Sequence, residues 1–185
     1  MGTSLLLVCN ESMARSSTQK EVEHAFLAAY DAHGDAIFRF CALKISDREA
    51  AHDLMQETFT KAWDYARNGH EIKDWKPFLF RTAYNLIVDS YRKKRSVSLD
   101  QLVEDHDFTV VDEAASRQID TIELKRAREA IDRMDETYRD VLLLRFTEDL
   151  PPREIAQILG LSENVVSVRL HRGIKQLRKE LNLSI

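Results

Sequence analysis

Glycine and proline are scarce in this chain, five and three of 185 residues. An all-β protein needs a turn every ten residues or so, and turns draw on those two residue types. The scarcity therefore argues against sheets and for long helices. Cysteine is scarcer still. Cys9 and Cys41 have no metal-ligand spacing and no obvious pairing partner, which fits a reducing cytoplasm better than a disulfide scaffold. Long apolar runs are missing. The N-terminal one, Leu5 to Cys9, covers five residues, too short for a signal-peptide core, and no basic residue precedes it. Position 6 is Leu6 where a myristoylation signal wants Ser or Thr. Nothing approaches the ~18 apolar residues of a membrane span, so no direct membrane insertion is expected. Residues 1–20 read as a disordered leader, with Met13 as an alternative start. Catalytic signatures are absent too. There is no HExxH, P-loop or Gly-x-Ser-x-Gly, and the six histidines are scattered. The expectation is a protein that is no enzyme and holds neither metal nor cofactor.

Hydrophobic residues make up 44% of the chain, enough for real cores, and charged residues 31%. The net charge of −4 looks wrong for a nucleic-acid binder until it is partitioned along the chain. Residues 1–95 hold 14 basic and 13 acidic residues, a net +1. Residues 96–123 hold Arg117 against eight acids, a net −7, and residues 124–185 hold 12 basic and 10 acidic residues, a net +2. Two near-neutral modules are joined by an acidic segment. Basicity here is local.

The apolar spacing places helices in both modules. The first module covers residues 21–95. Phe26, Leu27 and Tyr30 fit one helix ended by His33-Gly34, and Ile37, Phe38, Cys41 and Ile45 fit a second. Ser46 with Glu49 three residues on predicts a capping box for a third helix, which Asn68-Gly69 stops after Arg67. A polar loop leads to Pro77 in the first turn of a fourth, ending at Arg92 to Arg95. Residues 96–118 carry the acidic run without sustained period and read as a linker. The second module, 119–185, should hold helices over 119–134, 137–146, 152–159 and 163–181. The fold class expected is all-α, two small helical modules joined by a flexible acidic linker.

Three constellations carry function. Pro152 to Leu159 is a short helix with Pro early in its first turn. Gly160-Leu161-Ser162 is a tight turn, and Ser162 can cap the next helix. Ala156 is small where two helices would cross, so the whole reads as a helix-turn-helix. On its second helix Val166, Leu170, Ile174, Leu177 and Leu181 form the buried stripe. The opposite face carries Asn164, Ser167, Val168, His171, Arg172, Lys175 and Arg178, polar and basic groups suited to a major groove. A solvated amphipathic helix is the alternative; the fitting turn and preceding helix favour DNA. In the helix from Phe78 to Arg95, Leu79, Ala83, Leu86 and Ile87 face inward. Arg81, Asn85, Val88 and Arg92 step along the outward side with Tyr84 and Tyr91 at its border. Arginines bind phosphate, an amide reads a base edge and aromatics stack on unpaired bases. Mixed polar surface with no ligand is the alternative there. Finally, Asp53, Gln56 and Glu57 share one side of a helix whose other side is Ala51, Leu54, Met55, Thr58, Phe59 and Ala62. On a convex helix, with no Gly-rich loop or His beside them, these suit partner docking better than acid/base chemistry.

In combination the blocks DLMQETF…AW, FLFRTAYNLIVDSYRKKR and REIAQILGLS resemble regions 2 and 4 of the extracytoplasmic-function (ECF) sigma factors of the sigma-70 superfamily. The likeness runs from Phe26 to Leu181 except for the linker. It implies a promoter-recognition factor with core RNA polymerase and promoter DNA as partners and an anti-sigma factor as its regulator. It further implies that Asp53, Gln56 and Glu57 dock on the polymerase clamp helices. Asn85 matches the residue near the flipped-out base of the −10 element, with Arg81 and Tyr84 beside it and Arg92 and Lys93 at the basic end of that helix. The −35 contacts would fall to Asn164, Ser167, Arg169, His171, Arg172 and Lys175. The chain departs from the family after Ser162, where x-Gly-Thr-Val-Lys-Ser-Arg is usual and Glu163-Asn164-Val165-Val166-Ser167-Val168-Arg169 stands here. The Thr hydroxyl, the Lys charge and the second Ser hydroxyl, each a usual phosphate or base contact, are gone. Phe78 stands where the family usually has Trp. Two other readings stay open: a sigma mimic that titrates an anti-sigma factor, and an ordinary helix-turn-helix repressor, which leaves the first module unexplained.

Overall fold

The computed structural model describes the backbone of residues 3–45, 47–97, 129–131 and 133–181, and their side chains except at 3–18 and 94–97. Among them the regular elements are all helices, and they divide between two compact units, Met1–Ser98 and Leu99–Ile185. The acidic linker from residue 98 onward and the first ten residues of the helix expected at 119–134 lie outside the described residues.

The first unit packs three helices mutually, α1 (Thr3–Lys44), α2 (Arg48–Arg67) and α3 (Trp75–Val97). α1 corrects two expectations. The stretch read as a disordered leader is helical from Thr3; no proline occurs in it, and glycine does not recur until Gly34. Nor does the chain break at His33-Gly34. Phe26, Ala29, His33, Ile37, Phe40 and Lys44 step by three or four residues through the glycine, and all are buried or half-buried. A glycine inside a helix costs about 1 kcal/mol relative to alanine, while fully burying each Phe or Ile gains roughly 1.5–3 kcal/mol. The stripe wins.

α2 starts one residue later than the expected capping box would place it. Its N-cap is Asp47, whose carboxylate accepts from the Glu49 and Ala50 N–H groups at 2.9 and 3.3 Å; Ser46 lies outside the described residues. The helix ends at Arg67 as expected, with Gly69 at φ +86° turning the chain away. Ala51, Leu54, Met55, Phe59 and Ala62 are buried. Thr58 joins them because its hydroxyl donates to the Leu54 carbonyl at 2.7 Å, so that the buried hydroxyl is satisfied. α3 supplies Leu79, Phe80, Ala83 and Ile87. Phe40 and Phe80 meet edge to face with ring centroids 5.3 Å apart, and Phe26 sits among Phe59, Trp63 and Trp75 at 5.1 to 6.2 Å. Burial of Cys41 in this core pushes its thiol up to about 12, which keeps it protonated and unreactive.

Among its described residues the second unit is helical at 129–131 and then forms α4 (Glu136–Phe146), α5 (Pro152–Leu159) and α6 (Glu163–Glu180). Val141, Leu142 and Leu144 of α4, Ile155 and Ile158 of α5 and Val166 of α6 are almost wholly enclosed. One close approach was not foreseen. Gly173 of α6 is buried against α4, and a Cβ there would lie 3.2 Å from Leu142 Cδ1 and 3.4 Å from Tyr138 Cβ. Among the described residues no helix is long and apolar enough to cross a membrane.

Candidate nucleic-acid interface

α5 and α6 form the helix-turn-helix that the sequence predicts, residue for residue at the turn. Pro152 stands in the first turn of α5, where its missing N–H is not needed. Gly160 takes the left-handed conformation at φ +66° and closes α5, its N–H and that of Leu161 both reaching the Ala156 carbonyl. The Ser162 hydroxyl then accepts from the Val165 N–H at 3.3 Å and starts α6. Val166 and Leu170 are buried, while Ile174, Leu177 and Leu181 are half-buried as the helix runs past its support. Asn164, Ser167, His171, Arg172, Lys175 and Arg178 are all exposed on the side away from the core. The geometry is that of a helix held by one face with the other free to enter a groove.

Arg169, the sixth expected contact, is half-buried where the others are exposed. The carboxyl of Asp135, the N-cap of α4, is held below its usual range by the hydrogen bonds from the Thr137 side chain and from the Thr137 N–H, the latter at 2.8 Å, with smaller contributions from the charges of Arg169 and Arg139.

On α3 the outward stripe is present as a surface. Arg81, Asn85, Val88 and Arg92 are exposed, and Tyr84 is half-buried at its edge. Arg92 Nη2 lies 2.9 Å from Asp89 Oδ1; an exposed pair of this kind is worth little and yields readily to a phosphate. Lys93 is exposed but follows Arg92 directly, which turns it about 100° round the helix and off the stripe. Tyr91 is exposed, and its hydroxyl donates to the Lys44 carbonyl, which ties α3 to the end of α1. An unforeseen aromatic cluster stands where α3 begins. Tyr65 stacks on His70 with centroids 4.5 Å apart and an interplanar angle of 24°, and packs on Phe78 at 5.0 Å. Three separate elements contribute to it, so no local pattern could have announced it.

The third face is on α2. Asp53, Gln56 and Glu57 are exposed opposite the buried row. Glu57 lies 3.6 Å from Lys61 in an open ion pair, so the face carries acid without an enclosed pocket. No cluster of His, Cys, Asp and Glu among the described residues could hold a metal.

Comparison with known proteins agrees with these two units. Residues 29–97 match the model of Sigma-70 region 2, and residues 124–177 that of Sigma-70, region 4. RNA polymerase sigma factor SigV of Bacillus subtilis is 29% identical over 153 residues, which cover 80% of this chain and 86% of that protein. ECF RNA polymerase sigma factor SigW of the same organism is 28% identical over 178 residues, covering 88% and 92%. Among solved structures, the sigma factor RpoE in complex with the anti-sigma factor NepR from Bartonella quintana superposes with a TM-score of 0.71. It shares 20% identity, over 90% of this chain and 99% of that one.

Proposed function

The chain belongs to the sigma-70 family, among its ECF members, and on that premise we propose that it binds core RNA polymerase and directs transcription from specific promoters. It acts in the cytoplasm as a recognition subunit and has no catalytic step of its own. The observation that carries this reading is the occurrence of three separate exposed faces in one chain. A groove-sized polar face on α6 and a phosphate-and-amide stripe on α3 occur in one chain with the acidic docking face on α2.

In the proposed division of labour, Asp53, Gln56 and Glu57 dock on polymerase. Asn164, Ser167, His171, Arg172 and Lys175 read the −35 duplex, where cations anchor the phosphates and side-chain amides and guanidinium groups meet base edges. Arg169, half-buried beside that face, joins them. Arg81 and Arg92 hold the −10 strand, Lys93 extends the basic end, and Asn85 with Tyr84 receives an extruded base. An anti-sigma factor, of the kind bound to RpoE of Bartonella quintana, holds the chain inactive by covering these faces.

Run-off transcription with purified core polymerase on genomic fragments tests the proposal. Discrete transcripts that depend on the chain are the expected result. Finding neither core binding nor any transcript would favour the decoy reading, in which the chain titrates an anti-sigma factor.

A further inference from the structure

The exposed face of α6 has an apolar centre. Val168 is 41% exposed and Val165 37%, in a row otherwise made of Asn164, Ser167, His171, Arg172 and Lys175. Val168 lies opposite the buried residues Val166, Leu170 and Gly173 that hold the helix to its unit. Its neighbours one turn away are Asn164, Val165, His171 and Arg172. Single exposed valines are ordinary, but this one occupies the line of the helix that reaches deepest into whatever the helix enters. Helix stability does not account for it, since valine is a poorer helix former than alanine or any long polar residue. Its β-branched side chain is also stiff, so it presents two methyl groups in a fixed direction.

A valine so placed has nothing to offer a phosphate. The base edges of the major groove carry one apolar group, the 5-methyl of thymine. Resting on the promoter-recognition reading above, we propose that Val168 is a specificity-determining residue of this chain that packs on a thymine methyl group in the −35 element, with Val165 closing the contact from the adjacent turn. The cations one and two turns on, Arg172 and Lys175, take the backbone and the neighbouring base edge. Discrimination at that position is by apolar contact, in place of the hydroxyl and ammonium contacts that the sequence lacks at 165, 167 and 168.

The test uses holoenzyme reconstituted from the full chain and core polymerase, with a promoter duplex recovered by run-off transcription. Deoxyuridine replaces one thymidine of the −35 region at a time, removing only the methyl. One replacement should weaken binding about fourfold, the value of one buried methyl group. Val168→Ala, whose helix propensity is better than that of the parent, should bind the thymidine and deoxyuridine duplexes equally while keeping its affinity for core polymerase. If no thymidine responds, or if Val168→Ala responds as the parent does, the assignment to Val168 is overturned and promoter recognition stands. If no promoter is recovered at all, promoter recognition falls and this inference with it.

Discussion

Glu57 and Arg172 illustrate how far a single exposed side chain can be made to answer. Glu57 contributes little to the fold, because its one ion pair, with Lys61, is open to solvent at 3.6 Å. Glu57→Lys should therefore leave helical content and melting unchanged while weakening holoenzyme formation; a titration against core polymerase beside circular dichroism checks both halves. Unaltered core affinity would remove α2 from the docking proposal. Arg172 stands free of the core on α6. If it grips a base edge with two hydrogen bonds, Arg172→Ala should cost about 1–3 kcal/mol of −35 duplex binding and relax preference at one base pair. A uniform loss across sequences would make it a phosphate contact instead. Both residues were legible in the sequence, because outward position follows from helical period alone. The half-burial of Arg169 was not, because period says nothing about what another helix brings to a rim.

Helices show the same division between local and non-local causes. α5, its turn and the start of α6 were readable to the residue, since Pro152, Gly160 and Ser162 each act on the backbone beside them. α1 was misread because the same rule was applied to Gly34, where the stripe from Phe26 to Lys44 overrides it. The two glycines make a test. Gly34 keeps a helical backbone, and a Cβ there meets nothing within 4 Å. Gly34→Ala should raise stability by about 0.5–1 kcal/mol. Gly160 also has open space but sits at φ +66°, so Gly160→Ala should lower stability by about 1–2 kcal/mol. Urea denaturation of the two variants measures both signs. Opposite expectations for one chemical change separate backbone conformation from packing.

The whole chain confines each proposed task to one unit, and the first unit has two: docking on polymerase with α2 and holding single-stranded DNA with α3. These tasks are separable. Asn85 is exposed between Arg81 and Arg92, and nothing in the fold depends on it. Extruding a base costs a few kcal/mol and needs a receptive site to offset it. Asn85→Ala in holoenzyme should thus leave closed-complex binding nearly intact and reduce promoter opening. Permanganate reactivity of −10 thymines beside a gel-shift assay resolves the two steps. Equal melting in variant and parent would reduce the α3 stripe to solvated surface. At this scale the sequence conveyed the number of modules and the acidic segment between them through charge partition alone. It did not convey the Tyr65, His70 and Phe78 cluster or the bond from Tyr91 to Lys44, each of which exists only once two helices have met.

The contact between Gly173 and Leu142 bears on how such a chain can drift over generations. Alanine at 173 would improve helix propensity by about 1 kcal/mol, yet its methyl would lie 3.2 Å from Leu142 Cδ1, with Leu142 fully enclosed. The two positions, 31 apart in sequence, therefore share one allotment of volume. Gly173→Ala alone should move α6 off α4 by a few tenths of an ångström and lower the melting temperature, whereas the same change beside Leu142→Val should recover part of the loss. Among descendants of this chain a larger residue at 173 is expected to travel with a smaller one at 142. Because Arg172 is the immediate neighbour of Gly173, that exchange also shifts the face proposed to read DNA. On that proposal, a lineage that refilled this contact would alter promoter preference without changing any residue assigned to DNA.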